Sequence, residues 1–96
     1  MTQIDVRQTG SDDPLEFTVT VSEGPGSTRH HVSMRQATYE QLTAGRVTPV
    51  ACVRAAFAFL LDREPKESIL SRFDVTVISR YFPSFEREIA EYLSSA

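Results

Sequence analysis

Leu15, Phe17, Val19 and Val21 alternate with Glu16, Thr18, Thr20 and Ser22, and this period of two commits the stretch to a strand with one apolar and one polar side. Gly24-Pro25-Gly26-Ser27 follows as a turn, and a second run through His30, Val32 and Met34 to Arg35 completes a β-hairpin over residues 15–35. Directly opposed residues share a face, so a short loop pairs Val21 with His30, Val19 with Val32 and Phe17 with Met34. Glu16 then stands opposite Arg35 as an outer-face ion pair.

Downstream of the hairpin the apolar spacing becomes helical. Residues 35–44 place Tyr39 and Leu42 on one side, with Gly45 set to end the helix in a left-handed conformation. Ser33 and Gln36 have capping-box spacing, which competes with leaving Met34 in the strand. Thr48 is an N-cap and Pro49 a first helical residue, ahead of a stripe of Val50, Val53, Phe57, Leu60 and Leu61 widened by Cys52, Ala56 and Phe59. Only Arg54, Asp62 and Arg63 are charged between Val50 and Arg63, so this helix is expected to be central and covered on more than one side. Ala51, Ala55 and Ala58 form a strip that admits close approach of another helix or a partner chain.

Pro65 opens a short helix through Phe73 that turns Ile69, Leu70 and Phe73 inward. For residues 74–82 a helix capped by Asp74 is favoured, and the β-rich Val75-Thr76-Val77-Ile78 leaves a strand as the alternative. Phe85, Ile89, Tyr92 and Leu93 define a last helix, with Glu86 and Glu88 in its first turn. Ile4 and Val6 allow a short extra strand within residues 1–14, and fraying fits equally well. The expected fold is α+β: an N-terminal antiparallel hairpin, with two or three strands, followed by about four helices packed on one face.

With 96 residues the chain makes a single domain, 1–96, that buries roughly 60 to 65 percent of the surface its unfolded form exposes. The start lacks a basic segment followed by an apolar run, and the longest apolar stretch, Ala55 to Leu61, is too short to span a bilayer. A cytoplasmic protein without membrane contact is expected, and the lone Cys52 allows no internal disulfide.

No set of residues converges on a reaction. His30 and His31 are adjacent in a strand and point to opposite faces, so they cannot grip one metal ion. Cys52 reads as a core thiol, and Glu86, Glu88 and Glu91 as a solvated helix face. Gly24 and Gly26 flank a proline in a hairpin turn and build no phosphate loop. No catalytic residue, metal or cofactor is assigned, and an enzyme is not expected. Charge is uneven: the net charge is −3, yet residues 28–54 carry Arg29, Arg35, Arg46 and Arg54 against Glu40 alone. Such a segment could meet phosphate or an acidic partner, and a solvated surface explains it too. Among the aromatics, Tyr81 sits beside Arg80 just before the Pro83 break and is the one expected to be exposed, with a binding role.

Two resemblances follow. Strand, helix, Gly45 loop and Thr48-capped helix over residues 30–61 resemble a ribbon-helix-helix DNA-binding module, in which the strand pairs with its twin in the major groove. That resemblance implies a transcriptional regulator or antitoxin in which Arg29, His31, Ser33 and Arg35 face bases and Thr48 sits at phosphate. Ile69 to Ile89, with Ile-Leu-Ser-Arg-Phe-Asp, Ile-Ser-Arg-Tyr-Phe-Pro and Phe-Glu-Arg-Glu-Ile, is similar to the end of a family of small uncharacterised bacterial proteins and implies no activity. The leading expectation is a non-enzymatic protein-interaction domain with a protein partner or self-association as a dimer; nucleic-acid binding is the alternative.

Overall fold

The computed structural model describes residues 2–94. Three antiparallel strands come first, β1 (Thr2–Gly10), β2 (Leu15–Glu23) and β3 (Gly26–Met34), then helices α1 (Gln36–Thr43) and α2 (Pro49–Leu61). A single 3-10 turn at Lys66–Ser68 leads into β4 (Arg72–Asp74), and α3 (Thr76–Tyr81) and α4 (Phe85–Ser94) close the chain. The fold is α+β, with one four-stranded sheet in the order β1-β2-β3-β4. β4 runs parallel to β3, because the crossover through α1 and α2 returns the chain in the same direction.

The alternation read in the sequence decides the sheet. Phe17, Val19 and Val21 from β2, His30, Val32 and Met34 from β3, Val6 from β1 and Phe73 from β4 are buried on one face. The opposite face carries Asp5, Arg7, Thr18, Thr20, Arg29, His31 and Arg72 and is polar.

The hairpin register differs from expectation by two residues. Leu15 pairs with Met34, Phe17 with Val32, Val19 with His30 and Val21 with Thr28. The loop is tighter than the four-residue turn assumed: Glu23 pairs with Gly26, and Gly24 takes φ +59°, open to glycine without a Cβ penalty. A slip of two leaves every side chain on its predicted face, which is why the pattern could not detect it. Glu16 therefore opposes Ser33, and the expected pair with Arg35 is not formed. The first residues form a full nine-residue strand on β2 rather than a frayed end.

Helix α1 begins with Arg35 at its N-cap, and no side chain of its own caps it. Ser33 and Gln36 do not form a capping box. Asp13 Oδ1 instead accepts from the Gln36 N–H at 3.0 Å, and Met34 stays buried in β3. At the other end Ala44 (φ 53°) and Gly45 (φ 73°) are both left-handed, so the helix stops one residue before the expected glycine. The Tyr39 hydroxyl donates to the Val47 carbonyl, tying α1 to the loop that leads into α2.

Helix α2 starts as read: the Thr48 hydroxyl oxygen accepts from the Ala51 N–H at 3.1 Å, and Pro49 is the first helical residue. Seven of its thirteen residues are buried. Phe57 and Phe59 are two positions apart, so at 3.6 residues per turn they leave the helix on nearly opposite sides. Phe57 packs against His30 (ring centroids 5.4 Å apart) and Phe73 (5.9 Å). Phe59 meets Phe82, Phe85 and Tyr92 at 5.0 to 5.9 Å. Arg63 lies over the Phe59 ring at 3.6 Å and reaches Glu88 of α4 at 2.7 Å.

The expected helix from Pro65 to Phe73 is replaced by one 3-10 turn and an extended segment. Ile69 already has strand dihedrals, φ −76° and ψ 133°. Its successors bond to β3: the His31 N–H donates to the Ser71 carbonyl at 2.8 Å, and the Val75 N–H to the Ser33 carbonyl at 2.9 Å. Buried His30 adds a clamp, its Nδ1 2.7 Å from the Leu70 carbonyl and its Nε2 2.8 Å from the Thr28 hydroxyl. A carbonyl can only accept, so Nδ1 carries a proton. The favoured helix forms as α3 but starts later than expected: Asp74 ends β4, Val75 is the N-cap without a side-chain cap bond, and the Asp74 carboxylate accepts from the Thr76 N–H at 3.0 Å across that junction.

Two substitutions probe this core. Phe57→Ala is expected to cost about 3 to 5 kcal/mol, because its ring is fully buried between sheet and helix. Thr48→Ala is expected to cost about 1 kcal/mol through the lost cap. Denaturant titration of both variants measures the difference; a Phe57→Ala loss below about 1 kcal/mol would contradict the packing.

Candidate functional site

The residues singled out in the sequence separate into four places. Arg29, His31 and Ser33 alternate along the open face of β3. Arg35 is exposed at the start of α1. The Thr48 side chain is engaged in capping α2. Tyr81 stands on α3, 67% exposed, as expected. The register adds two arginines the sequence reading did not group with them: Arg7, Thr18, His31 and Arg72 form one row across the four strands.

Within that face Ser33 Oγ donates to Asp74 Oδ2 at 2.7 Å. Burial pushes the Asp74 carboxyl up, but the hydrogen bonds from the Ser33 hydroxyl, the Thr76 N–H and the Thr76 hydroxyl, with the Arg35 charge, outweigh it and hold Asp74 below its usual range. Ser33 is thereby fixed as a donor to a carboxylate. The His31 imidazole, two residues before it, makes no side-chain hydrogen bond among the described residues and does not reach the Ser33 hydroxyl. The row also has Asp5, Glu16 and Asp74 as neighbours, so its positive charge is interrupted.

Tyr81 belongs to a different feature. Leu70 and Tyr81 are the exposed large apolar side chains of the described residues, and both line one groove of about 250 Å³. Ile69, Phe73, Val77 and Ile78 supply more of its wall, and Leu60 joins it from α2. Leu70 is 47% exposed, against the expectation that it turns inward. The reason is the extended backbone. Neighbours in a strand-like segment point to opposite sides, so Ile69 goes into the core while Leu70 goes out.

Among the described residues one charged group, Glu64, lines the groove. Burial pushes the Glu64 carboxyl up, and its side chain has no hydrogen-bond or ion-pair partner among the described residues. Leaving a partly desolvated carboxylate unpaired costs free energy that a cation from outside would recover. The groove thus offers apolar walls, an aromatic rim with a phenol, and one unsatisfied acceptor. Cys52 contributes nothing to it, being buried beside Met34 with its thiol pushed up to about 11 by that burial. Among the described residues no three histidine, cysteine or carboxylate side chains group to hold a metal ion, and no helix is long and apolar enough to cross a membrane.

The lowered Asp74 carboxyl has a signed consequence for stability. A group depressed in the folded state stabilises above its unfolded titration point, and this stabilisation is lost as pH falls through the folded one. The advantage of the parent chain over Asp74→Asn is expected to be full at neutral pH and to vanish in acid, below the ordinary aspartate range. Denaturant titrations of both chains across that range test it, and a difference independent of pH would contradict the assignment. Comparison of the chain with protein-family models, with curated proteins and with solved structures finds no match.

Proposed function

We propose that this chain is a small, non-enzymatic protein-interaction domain that receives a short apolar segment of a protein partner in the groove beside α3, with a lysine or arginine of that segment placed against Glu64. The observation that carries the reading is the convergence of Leu70 and Tyr81 on one groove. Clustered exposed apolar side chains mark contact surfaces, whereas singly scattered ones are ordinary. Tyrosine is among the residue types that supply interface anchors, because it combines a large apolar ring with a hydrogen-bonding hydroxyl. The Ile69 to Ile89 stretch, which carries the resemblance to small bacterial proteins, supplies most of the groove wall.

Selection of a displayed random-peptide library on the purified chain tests this reading. Enriched peptides are expected to combine large apolar residues with a lysine or arginine. Leu70→Ala and Tyr81→Ala are expected to weaken their binding about ten- to thirtyfold, with stability changed by only about 0.5 kcal/mol at such exposed positions. Glu64→Gln is expected to remove the preference for a basic residue. The reading fails if no sequence class is enriched, or if selected peptides bind the two alanine variants as tightly as the parent.

A second reading, nucleic-acid binding, is favoured by one observation: Arg29, His31 and Arg72 lie on the open sheet face without side-chain partners among the described residues. The ribbon-helix-helix form of that reading lacks a free strand. β3 is flanked by β2 along its length and by β4 at His31 to Ser33, within one chain. A DNA-binding role through this face predicts affinity that falls steeply with salt and weakens on Arg29→Ala. A mobility shift at low salt decides it.

A further inference from the structure

The sheet has two unlike edges. β4 is three residues long, while β1 at the other edge is nine, and only its inner side is paired, to β2. An edge of this length presents a row of free N–H and C=O groups, which natural sheets blunt with short strands, charged side chains, proline or bulges. β1 has no lysine or proline, and its register irregularity, between Gln8 and Gly10, lies at the strand's end, away from Val6. The strand has Asp5 and Arg7, which flank Val6 on the open face and are 64% and 80% exposed.

We infer that β1 pairs antiparallel with β1 of a second copy of this chain, about a two-fold axis through Val6, joining the two four-stranded sheets into one. The charge pattern selects the occupant and the register together. An antiparallel pair centred on Val6 sets Asp5 opposite Arg7 of the second copy and Arg7 opposite its Asp5. Ile4 then opposes Gln8, and Val6 opposes itself on the core side.

The neighbouring registers are worse. Residues opposed across a two-fold pair share a face, so slips come in steps that keep inner against inner. Centring on Asp5 opposes aspartate to aspartate, and centring on Arg7 opposes arginine to arginine; like charges directly opposite destabilise a strand pair. The Asp5 to Arg7 contact at 3.6 Å within one strand then becomes part of an alternating group of four charges across the axis. Val6, already buried, and half-buried Ile4 would extend the core across the junction.

Sedimentation of the full chain tests the inference, because charge exchange at two exposed positions leaves the fold undisturbed. The parent chain is expected at twice the monomer mass. Arg7→Asp and Asp5→Arg each place like charges opposite one another and are expected to raise the dimer dissociation constant about tenfold or more. Mixing these two variants restores complementarity and is expected to give a heterodimer, as the doubly exchanged chain gives a homodimer. Tyr81→Ala, in the separate groove, is expected to leave the mass unchanged. A monomeric parent chain, single variants that remain as dimeric as the parent, or a mixture that fails to pair would each overturn the proposal.

Discussion

Burial of α2 on two sides is the constraint on which the other packing depends. A helix with one apolar stripe can cover a sheet and stop there. This one carries Phe57 and Phe59 on nearly opposite sides, and both are fully buried. Phe57 fixes it to the sheet through His30 and Phe73, while Phe59 requires a second apolar surface, which Phe82, Phe85 and Tyr92 provide. The C-terminal helices are therefore needed to keep one side of α2 from water, and Arg63 joins the two by lying over Phe59 while bonding Glu88.

The same arrangement shapes the surface. The chain leaving α2 must return to the sheet to set Phe73 beneath Phe57, and it does so extended, because β3 has a free edge there and His30 holds the Leu70 carbonyl. An extended return exposes every second side chain. Leu70 is thereby turned outward toward α3, where Tyr81 stands. The groove on which the proposed function rests is in this sense a by-product of sheet completion, and its exposed leucine follows from the pleat.

The open sheet face and the β1 edge follow from a different part of the sequence. Alternation places polar residues on one side of every strand, and the order β1-β2-β3-β4 leaves β1 with one unpaired flank. Groove and edge are built from separate segments, 60–82 and 2–10, so binding at one does not require binding at the other.

The sequence by itself determined whatever depends on local periodicity and capping. The α+β class, the two faces of the hairpin, the Thr48-Pro49 start of α2, a helix soon after Asp74 and the exposure of Tyr81 are all set by residues within a few positions of one another. Tertiary structure decided what depends on distant partners. The hairpin register turned on a tighter loop that preserved face identity; the Asp13 cap on α1 came from 23 positions away. β4 exists because the edge of β3 accepts backbone bonds that a short helix would have kept to itself. Leu70 shows the difference most directly. Its spacing with Ile69 and Phe73 suits a helix, but hydrogen bonding to a strand some forty residues earlier yields more paired backbone than one isolated turn could, and that choice put its side chain on the surface.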